Sequence, residues 1–301
     1  MRPGQRLRVI RRSIRILMPH ERGAKREAPL VETKEEQVDT EKYGPWAVIA
    51  GGSEGVGAEF AAQLAEQGLN LVLLARKEAP LEATAEKCRA YGVTVRTLSV
   101  DLLAADAFER IRQVTDDLVV GLFIYNAGAN TYGHEFVTGD LDRFQAVIDL
   151  NITAQLKLVQ HFGALMRERR RGGILLAGSL SGFLGSAQIS IYSAVKAFCR
   201  IFAEGLWLEM QDHNVDVLEL VLGLTRTPAM ARAGLKMDAP GLLISEPRDV
   251  AAQGLANLAN GPVVVVKEWE AATEKNSGHN RAELLIEARD SAKKLLPPPT
   301  E

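Results

Sequence analysis

Short apolar runs of strand length alternate with helical segments from Tyr43 onwards, and this alternation limits the possible folds more than any other feature. Parallel strands need crossovers, which are usually helices, and strands covered on both faces are mostly apolar. Seven runs have that character: Trp46–Ala50, Asn70–Ala75, Val93–Val100, Leu118–Tyr125, Gly173–Gly178, Val215–Val221 and Val263–Val266. The pattern predicts a single α/β domain with a doubly wound, parallel, seven-stranded sheet and helices on both faces.

Composition agrees with one large soluble domain in a chain of 301 residues, of which 47% are hydrophobic and 25% charged. The chain has a net charge of -2 and therefore lacks the excess of basic residues that nucleic-acid binding requires. No apolar run approaches the roughly 18 residues of a transmembrane helix. Cys88 and Cys199 lie far apart, and the histidines form no cluster with ligand spacing. We therefore expect free thiols, a reducing cytoplasmic location, no metal, no nucleic acid and no transmembrane segment.

The patterned region, residues 43–267, is flanked by two different segments. Residues 1–42 are first basic and then of mixed charge, and arginines interrupt the apolar stretch Val9–Met18 that a signal peptide would need. An amphipathic segment on anionic lipid, a transit-like leader and a disordered extension are the alternatives, and we favour the disordered extension. Residues 268–301 form a tail with one amphipathic helix, Arg281–Leu296, which ends at consecutive prolines.

The first strand–helix junction is rich in glycine and reads Ala50-Gly51-Gly52-Ser53-Glu54-Gly55-Val56-Gly57. Glycines allow the backbone to turn tightly and to approach a pyrophosphate, which the N-terminus of the following helix attracts. An ordinary tight turn is the alternative interpretation. The position at the first junction of an α/β pattern favours a dinucleotide site.

The end of the second strand bears on the choice of cofactor. An acidic residue near this position would bind the ribose 2′-hydroxyl of NAD, whereas an arginine accommodates the 2′-phosphate of NADP. The chain has Ala75 followed by Arg76, which favours NADP(H) over NAD(H). Glu54 in the glycine turn argues in the opposite direction, and a solvated charge at a strand end is the alternative role for Arg76.

Tyr192 and Lys196 lie four residues apart on a predicted long helix, Ser190–Gln211. This spacing places both side chains on one helical face, where the ammonium can stabilise a phenolate for acid–base chemistry. A surface pair is the simplest alternative for a tyrosine and a lysine at this spacing. Ser179 changes that balance, because it follows a strand at the carboxyl edge of the sheet, where open α/β folds bind ligands.

Together these motifs resemble the short-chain dehydrogenase/reductase family. The resemblance is carried by Gly51-x3-Gly55-x-Gly57, Asn126-Ala127-Gly128, Asn151, Ser179 and Tyr192-x3-Lys196, and it extends from Tyr43 to about Lys267. It implies a Rossmann-type fold and an NADP-dependent oxidoreductase that interconverts a ketone or aldehyde and an alcohol by hydride transfer. A redox sensor that binds the dinucleotide without turnover is the alternative, and a membrane-surface protein is a weaker one.

The resemblance also implies roles for individual residues. Tyr192 would be the acid and base, Lys196 would assist it, Ser179 would bind the substrate oxygen, and Asn151 would anchor a water relay. Cofactor contacts would come from Gly51, Ser53, Glu54, Gly55, Val56, Gly57, Arg76, Asp101, Leu102, Asn126, Ala127, Gly128, Tyr192, Lys196 and Thr227.

Three positions depart from the family pattern. Ala50 replaces a threonine, Tyr125 stands where a first asparagine is common, and Leu222-Gly223 replaces Pro-Gly after the sixth strand. The third departure affects the loop that leads to Thr227, so it bears most on the role of that residue.

The substrate is expected to be an apolar, lipid-like molecule. The opening Tyr43–Val48 resembles that of long-chain 3-ketoacyl and 17β-hydroxysteroid members, which act on acyl and steroid-like substrates. Residues 228–245, which include Met230 and Leu235, form a long connection with the apolar content of a lid over the substrate. An ordinary packing surface and an oligomer contact are the alternatives, and we favour the lid.

The predicted helices Leu141–Arg171 and Ser190–Gln211 carry apolar residues on more than one side. The family resemblance implies that these two helices pair across a two-fold axis, so we expect a homodimer or homotetramer.

Overall fold

The computed structural model describes residues 38–232, 237 and 242–295. The expectation for the N-terminal extension therefore lies outside the described residues, except for residues 38–42, of which 40–42 belong to a short helix. Part of the predicted lid, 233–236 and 238–241, with Leu235, also lies outside them. No helix in the described part of the chain is long and apolar enough to span a membrane.

One parallel sheet of seven strands organises the fold, as the alternation of the sequence predicts. Its strand order is β3-β2-β1-β4-β5-β6-β7. The strands are β1 Trp46–Ala50, β2 Asn70–Ala75, β3 Val95–Ser99, β4 Val120–Tyr125, β5 Gly172–Ala177, β6 Val215–Val221 and β7 Val263–Val265. The order reverses between β1 and β4, which creates the switch point at whose carboxyl edge such sheets bind ligands.

Helices connect the strands and cover both faces of the sheet. They are α1 Thr40–Tyr43, α2 Gly55–Glu66, α3 Glu78–Arg89, α4 Ala107–Thr115, α5 Leu141–Ile148, α6 Ala154–Arg169, α7 Ser190–Met210, α8 Pro228–Arg232, α9 Pro247–Ala256, α10 Glu270–Asn276 and α11 Arg281–Leu295. The continuous helix predicted from Leu141 towards Arg171 is interrupted by a π-helical turn, Asp149–Thr153, between α5 and α6.

Each face of the sheet has its own core because successive strand side chains point to opposite faces. Ile49 packs with Phe60 and Leu64 of α2 on one face. Phe123 packs with Phe162 of α6 on the other, and their ring centroids are 4.7 Å apart. The sheet is therefore clamped between two helical layers, which fixes the positions of the strand ends.

Residues beyond 267 contribute to the core, whereas the sequence pattern places them in a tail outside the domain. Trp269 is 9% exposed, and its indole Nε1 donates to Ser245 Oγ over 2.9 Å. A methyl group on Gly223 would lie 2.0 Å from the Trp269 ring, so only glycine fits there. This contact gives a physical reason for Gly223, the glycine that Leu222-Gly223 shares with the Pro-Gly of the family pattern. α11 coincides with the predicted tail helix, and α10 precedes it.

Candidate active site

The glycine turn between β1 and α2 lies at the switch point. Gly51 and Gly55 adopt φ values of +86° and +57°, which side chains disfavour. A methyl group on Gly57 would lie 1.9 Å from the carbonyl oxygen of Gly51 and 2.7 Å from Nδ2 of Asn126. The turn is therefore packed so closely against its surroundings that a side chain at Gly57 is excluded.

The segment after β4 closes one side of this turn. Asn126 donates from its backbone N to Ala50 O over 2.9 Å and from Nδ2 to Gly51 O over 3.1 Å. A methyl group on Gly51 would lie 2.9 Å from the Ala127 backbone. The structure therefore brings together Gly51, Gly57, Asn126 and Ala127, as the motif order predicts.

The N-terminus of α2 has no side-chain cap, because the preceding Glu54 makes no hydrogen bond to it. Its backbone N–H groups are therefore available to an anion. Val56 in this first turn is buried, and the Ser53 carbonyl accepts from Thr84 Oγ1 over 3.0 Å, which anchors the turn to α3. These features suit a pyrophosphate on the helix axis.

Cationic side chains surround Glu54. Arg232 of α8 donates to both carboxylate oxygens, with 2.9 Å between Nη1 and Oε2. These hydrogen bonds hold the pKa of the Glu54 carboxyl below its ordinary value, and the charges of Arg232, Lys77 and Arg76 act in the same direction. Arg76 is exposed directly after β2. Three cations therefore lie near the glycine turn, where the sequence suggests only Arg76.

Sequence reasoning missed two of these cations for different reasons. Lys77 is adjacent to Arg76, so its position was available from the strand end. Arg232 lies 178 residues from Glu54 along the chain, and no local pattern indicates that contact.

Two further predicted contacts lie at neighbouring strand ends. Asp101 follows β3, is exposed, and its Oδ1 accepts from Leu103 N over 3.1 Å, while Leu102 is half-buried. Thr227 follows β6, and a methyl group on Gly55 would lie 3.0 Å from its Cγ2. The loop after β6 therefore reaches the glycine turn despite the departure at Leu222-Gly223.

Tyr192 and Lys196 lie on one face of α7. The Lys196 ammonium is 3% exposed, donates to Ala177 O over 2.8 Å, and lies 5.7 Å from the Tyr192 ring centroid. A methyl group on Gly182 would lie 2.9 Å from the Lys196 backbone. The segment after β5 thus packs directly on α7 and fixes the lysine beside the tyrosine.

Asn151 lies in the π-helical turn, a feature that occurs frequently at functional sites. Its Nδ2 donates to Val147 O over 2.8 Å and to Ala129 O over 2.9 Å. A methyl group on Gly128 would lie 2.6 Å from Asn151 Oδ1 and 2.9 Å from Lys196 Nζ. Gly128, Asn151 and Lys196 therefore converge on one small space.

Tyr125, the departure in β4, supports this turn. Its hydroxyl donates to Leu150 O over 2.5 Å, one residue before Asn151, and the ring is 1% exposed. Burial raises the pKa of the Tyr125 hydroxyl, so it remains a neutral donor. The residue that departs from the family pattern therefore makes a hydrogen bond of its own to the π-helical turn.

Ser179 follows β5 after one residue, Gly178, and caps the short 3₁₀ turn Leu180–Gly182. Its Oγ accepts from Ser181 N over 3.2 Å. No side-chain hydrogen bond joins Ser179 to Tyr192 within the described residues. The serine is placed at the same sheet edge, two residues from the carbonyl that holds Lys196.

The residues at the switch point fit a bound dinucleotide. The glycine turn is a cradle that a Cβ atom at Gly57 would fill. Asn151 Oδ1 is buried without a hydrogen-bond partner anywhere in the described ranges, and it borders Gly128 and Lys196. Nowhere in the described part do three or more His, Cys, Asp or Glu side chains form a group able to hold a metal. Cys88 and Cys199 are free and buried.

Comparison with known proteins identifies the family. The model of the family described as short chain dehydrogenase matches residues 45–238. The chain belongs to the short-chain dehydrogenase/reductase family. It is 34% identical over 212 residues to a very-long-chain 3-oxoacyl-CoA reductase of Neurospora crassa. That stretch covers 69% of this chain and 62% of the length of the Neurospora protein.

Solved structures of other family members share the fold. A structure of a 7β-hydroxysteroid dehydrogenase matches with a TM-score of 0.75 and 25% identity, over 83% of this chain and 98% of that one. A short-chain dehydrogenase from Sphingobium yanoikuyae in complex with NADPH matches with a TM-score of 0.70 and 28% identity, over 86% and 98%. The resemblance noted in the sequence motifs is therefore confirmed at the level of family and fold.

Proposed function

We propose that this chain is an NADP-dependent oxidoreductase that interconverts a ketone or aldehyde and the corresponding alcohol. The observation that carries the proposal is the position of the Lys196 ammonium, which is held on Ala177 O beside the Tyr192 ring and next to Asn151. A protein that only binds the dinucleotide has no need of this acid–base arrangement. Bound NADP(H) would supply or accept the hydride.

In this mechanism Tyr192 gives its hydroxyl proton to the carbonyl oxygen during reduction and takes the proton back during oxidation. The positive charge of Lys196 stabilises the transient phenolate. Lys196 is buried, and electrostatic interactions are stronger away from water, so this stabilisation is larger than it would be at the surface. Ser179 orients the substrate oxygen from the end of β5. Asn151 presents its unpartnered Oδ1 to the space beside Lys196, where a water molecule can return the proton from solvent.

The cations at the glycine turn support NADP(H) as the preferred cofactor. Arg76 lies where a 2′-phosphate is expected, and both Arg76 and Lys77 act on Glu54 across the turn. The neighbour from Sphingobium was solved with NADPH. Arg232 neutralises Glu54, so the acidic residue that argues against a phosphate is already paired.

Arg76→Glu is expected to weaken NADPH selectively. Losing a charge-assisted contact and adding a repulsive charge should raise the KM for NADPH about tenfold or more, with a much smaller effect on NADH. Steady-state kinetics with both cofactors measure this. Lys87→Glu, the same charge change near the C-terminal end of α3, is the control. Equal use of NADH and NADPH by the native protein would contradict the cofactor proposal.

We propose an apolar, acyl or steroid-like substrate for the same site. The relatives are named as reductases of very-long-chain 3-oxoacyl-CoA and as a 7β-hydroxysteroid dehydrogenase. The proposed lid, 228–245, begins with α8, where Thr227 approaches Gly55 and Arg232 binds Glu54. These contacts support a segment that closes over the nicotinamide side of the site and excludes water.

Rates of NADPH oxidation across a series of carbonyl compounds test this function. We expect kcat/KM to rise with the apolar size of the ketone, and Met230→Ser on α8 to flatten that rise, because the lid would lose apolar contact. Tight NADPH binding without turnover of any carbonyl would instead support the alternative, a redox sensor. A preference for small polar ketones would contradict the apolar substrate.

We also propose a homodimer or homotetramer in the cytoplasm. The support for assembly is on α7, where Phe198, Ile201 and Leu208 are 38%, 59% and 66% exposed. Large apolar side chains in one exposed region commonly mark protein–protein contacts.

A further inference from the structure

Glu219 is a buried acid directly behind the candidate active site. It lies on β6 between Val217 and Val221, is 1% exposed, and points to the same face of the sheet as these valines. Its partners in the sheet are Leu176 and Val263. A carboxyl group in an apolar row costs free energy unless it is paired, so its presence requires an explanation.

The carboxyl group touches the backbone that connects two of the proposed catalytic residues. A methyl group on Gly178 would lie 2.5 Å from Glu219 Oε1 and 2.6 Å from its Cδ. Gly178 separates Ser179 from Ala177, whose carbonyl oxygen holds Lys196. The carboxyl therefore packs against the strand end that positions both Ser179 and Lys196.

Conventional pairing does not explain this residue. Oε2 of Glu219 is buried and has no hydrogen-bond partner among the residues that the structure describes. No ion pair of the described chain involves it either. Arg200 Nε on α7 is also buried without a described hydrogen-bond partner. A purely structural ion pair would join these two groups within 4 Å, and no such pair is found among the described residues.

Among the residues that the structure describes, the charged and titratable groups that act on Glu219 lie on α7. Lys196 and Arg200 attract its negative charge, whereas Glu204 and Cys199 face it from the same helix. The adjoining strand residues, Leu176–Gly178 and Val263, do not titrate. Burial raises the pKa of the Glu219 carboxyl to about 7, against the opposing effects of Lys196 and Arg200.

We propose that Glu219 is a positioning residue that acts through Lys196 and sets the pH range of acid–base exchange at Tyr192. An ionised carboxylate behind Lys196 offsets part of the positive charge that stabilises the phenolate. Tyr192 then keeps its proton to higher pH than it would beside Lys196 alone. This inference rests on the proposed function of the Tyr192–Lys196 pair, and it assigns a role to a residue outside the family motifs.

Glu219→Gln tests this role because it removes the charge and keeps the shape. For carbonyl reduction, activity declines where Tyr192 loses its proton, and removing the nearby anion favours the phenolate. We expect the midpoint of that decline to move to lower pH by about half a unit or more. The native profile should also contain an inflection near pH 7, from Glu219 itself, which the variant lacks.

The controls separate an electrostatic role from a structural one. Glu209→Gln removes the same charge from an exposed position on α7 and should leave the midpoint unchanged. Glu219→Leu, which is also uncharged, should shift the midpoint in the same direction as Glu219→Gln. This variant replaces Glu219→Gln in the test if the glutamine variant fails to fold. A uniform loss of rate with an unchanged midpoint in either folded variant would overturn the proposal.

A second measurement does not depend on turnover. Phenolate absorbance is titrated with pH in the native protein and in Glu219→Gln. The absorbance of Tyr192→Phe is subtracted from that of the native protein, and the absorbance of the double variant Glu219→Gln/Tyr192→Phe is subtracted from that of Glu219→Gln. The difference isolates Tyr192, and its titration should move to lower pH in Glu219→Gln. No shift would overturn the role of Glu219, whereas absence of turnover with every carbonyl would overturn only the proposed function.

Discussion

Tyr192→Phe is expected to lower kcat by about 10²–10⁴-fold, the contribution typical of a general acid, while NADPH binding is retained. The ring still fills its position beside Lys196, so the substitution removes only the hydroxyl that exchanges the proton. Initial rates of NADPH oxidation measure turnover, and cofactor fluorescence measures binding.

The matched control for this substitution is Tyr91→Phe. Tyr91 is 51% exposed and lies after α3, outside the site, so its hydroxyl should have no effect on turnover. A Tyr192→Phe variant that keeps a rate within about tenfold of the native rate would exclude Tyr192 as the general acid.

Gly57→Ala is expected to abolish tight NADPH binding and to destabilise the domain. Alanine is the better helix former by about 1 kcal/mol, so propensity alone predicts a gain within α2. The new methyl group would instead lie 1.9 Å from Gly51 O, which forces the glycine turn open. Overpacking of this kind costs about 1–3 kcal/mol, and displacement of the phosphate cradle should lower affinity at least about tenfold.

Gly205→Ala isolates the effect of propensity from that of the clash. Gly205 is an exposed residue within α7, and a methyl group there meets no atom within 4 Å other than the neighbouring backbone of its own helix. We expect unchanged NADPH binding for this variant, because Gly205 lies with Ile201 and Leu208 on the exposed face of α7, away from the glycine turn. If Gly57→Ala also kept the native Tm and the native NADPH affinity, the glycine turn would not be the phosphate site.

The fold was predictable because its main determinants are local. Parallel strands that are covered on both faces are mostly apolar, so all seven appear in the sequence. β3 and β4 begin two residues later than predicted, and β3 and β6 also carry charged residues. The motif residues were equally accessible, since Gly51, Asn126, Ser179 and Tyr192 follow strands or lie on helices that the pattern defines.

The parts that escaped prediction depend on contacts between distant segments. Arg232 reaches Glu54 across the sheet edge, and Trp269 reaches Gly223 from beyond the patterned region. The acidic character of Glu219 was visible, but its position behind Lys196 depends on how α7 packs on β6. The π-helical turn at Asn151 has no periodicity signal of its own, because it spans only Asp149–Thr153.

The surroundings of the π-helical turn also determine the orientation of the Asn151 side-chain amide. Both Val147 O and Ala129 O approach the same end of the side chain, and two carbonyl oxygens tolerate only an N–H donor there. Rotating the amide by 180° would place Oδ1 against both of these carbonyl oxygens, which is repulsive. Oδ1 therefore faces Gly128 and Lys196. That side of Asn151 accepts and never donates. Any molecule that bridges Asn151 to Lys196 must therefore offer a hydrogen to Asn151, which gives a chain of hydrogen bonds through this point a single polarity.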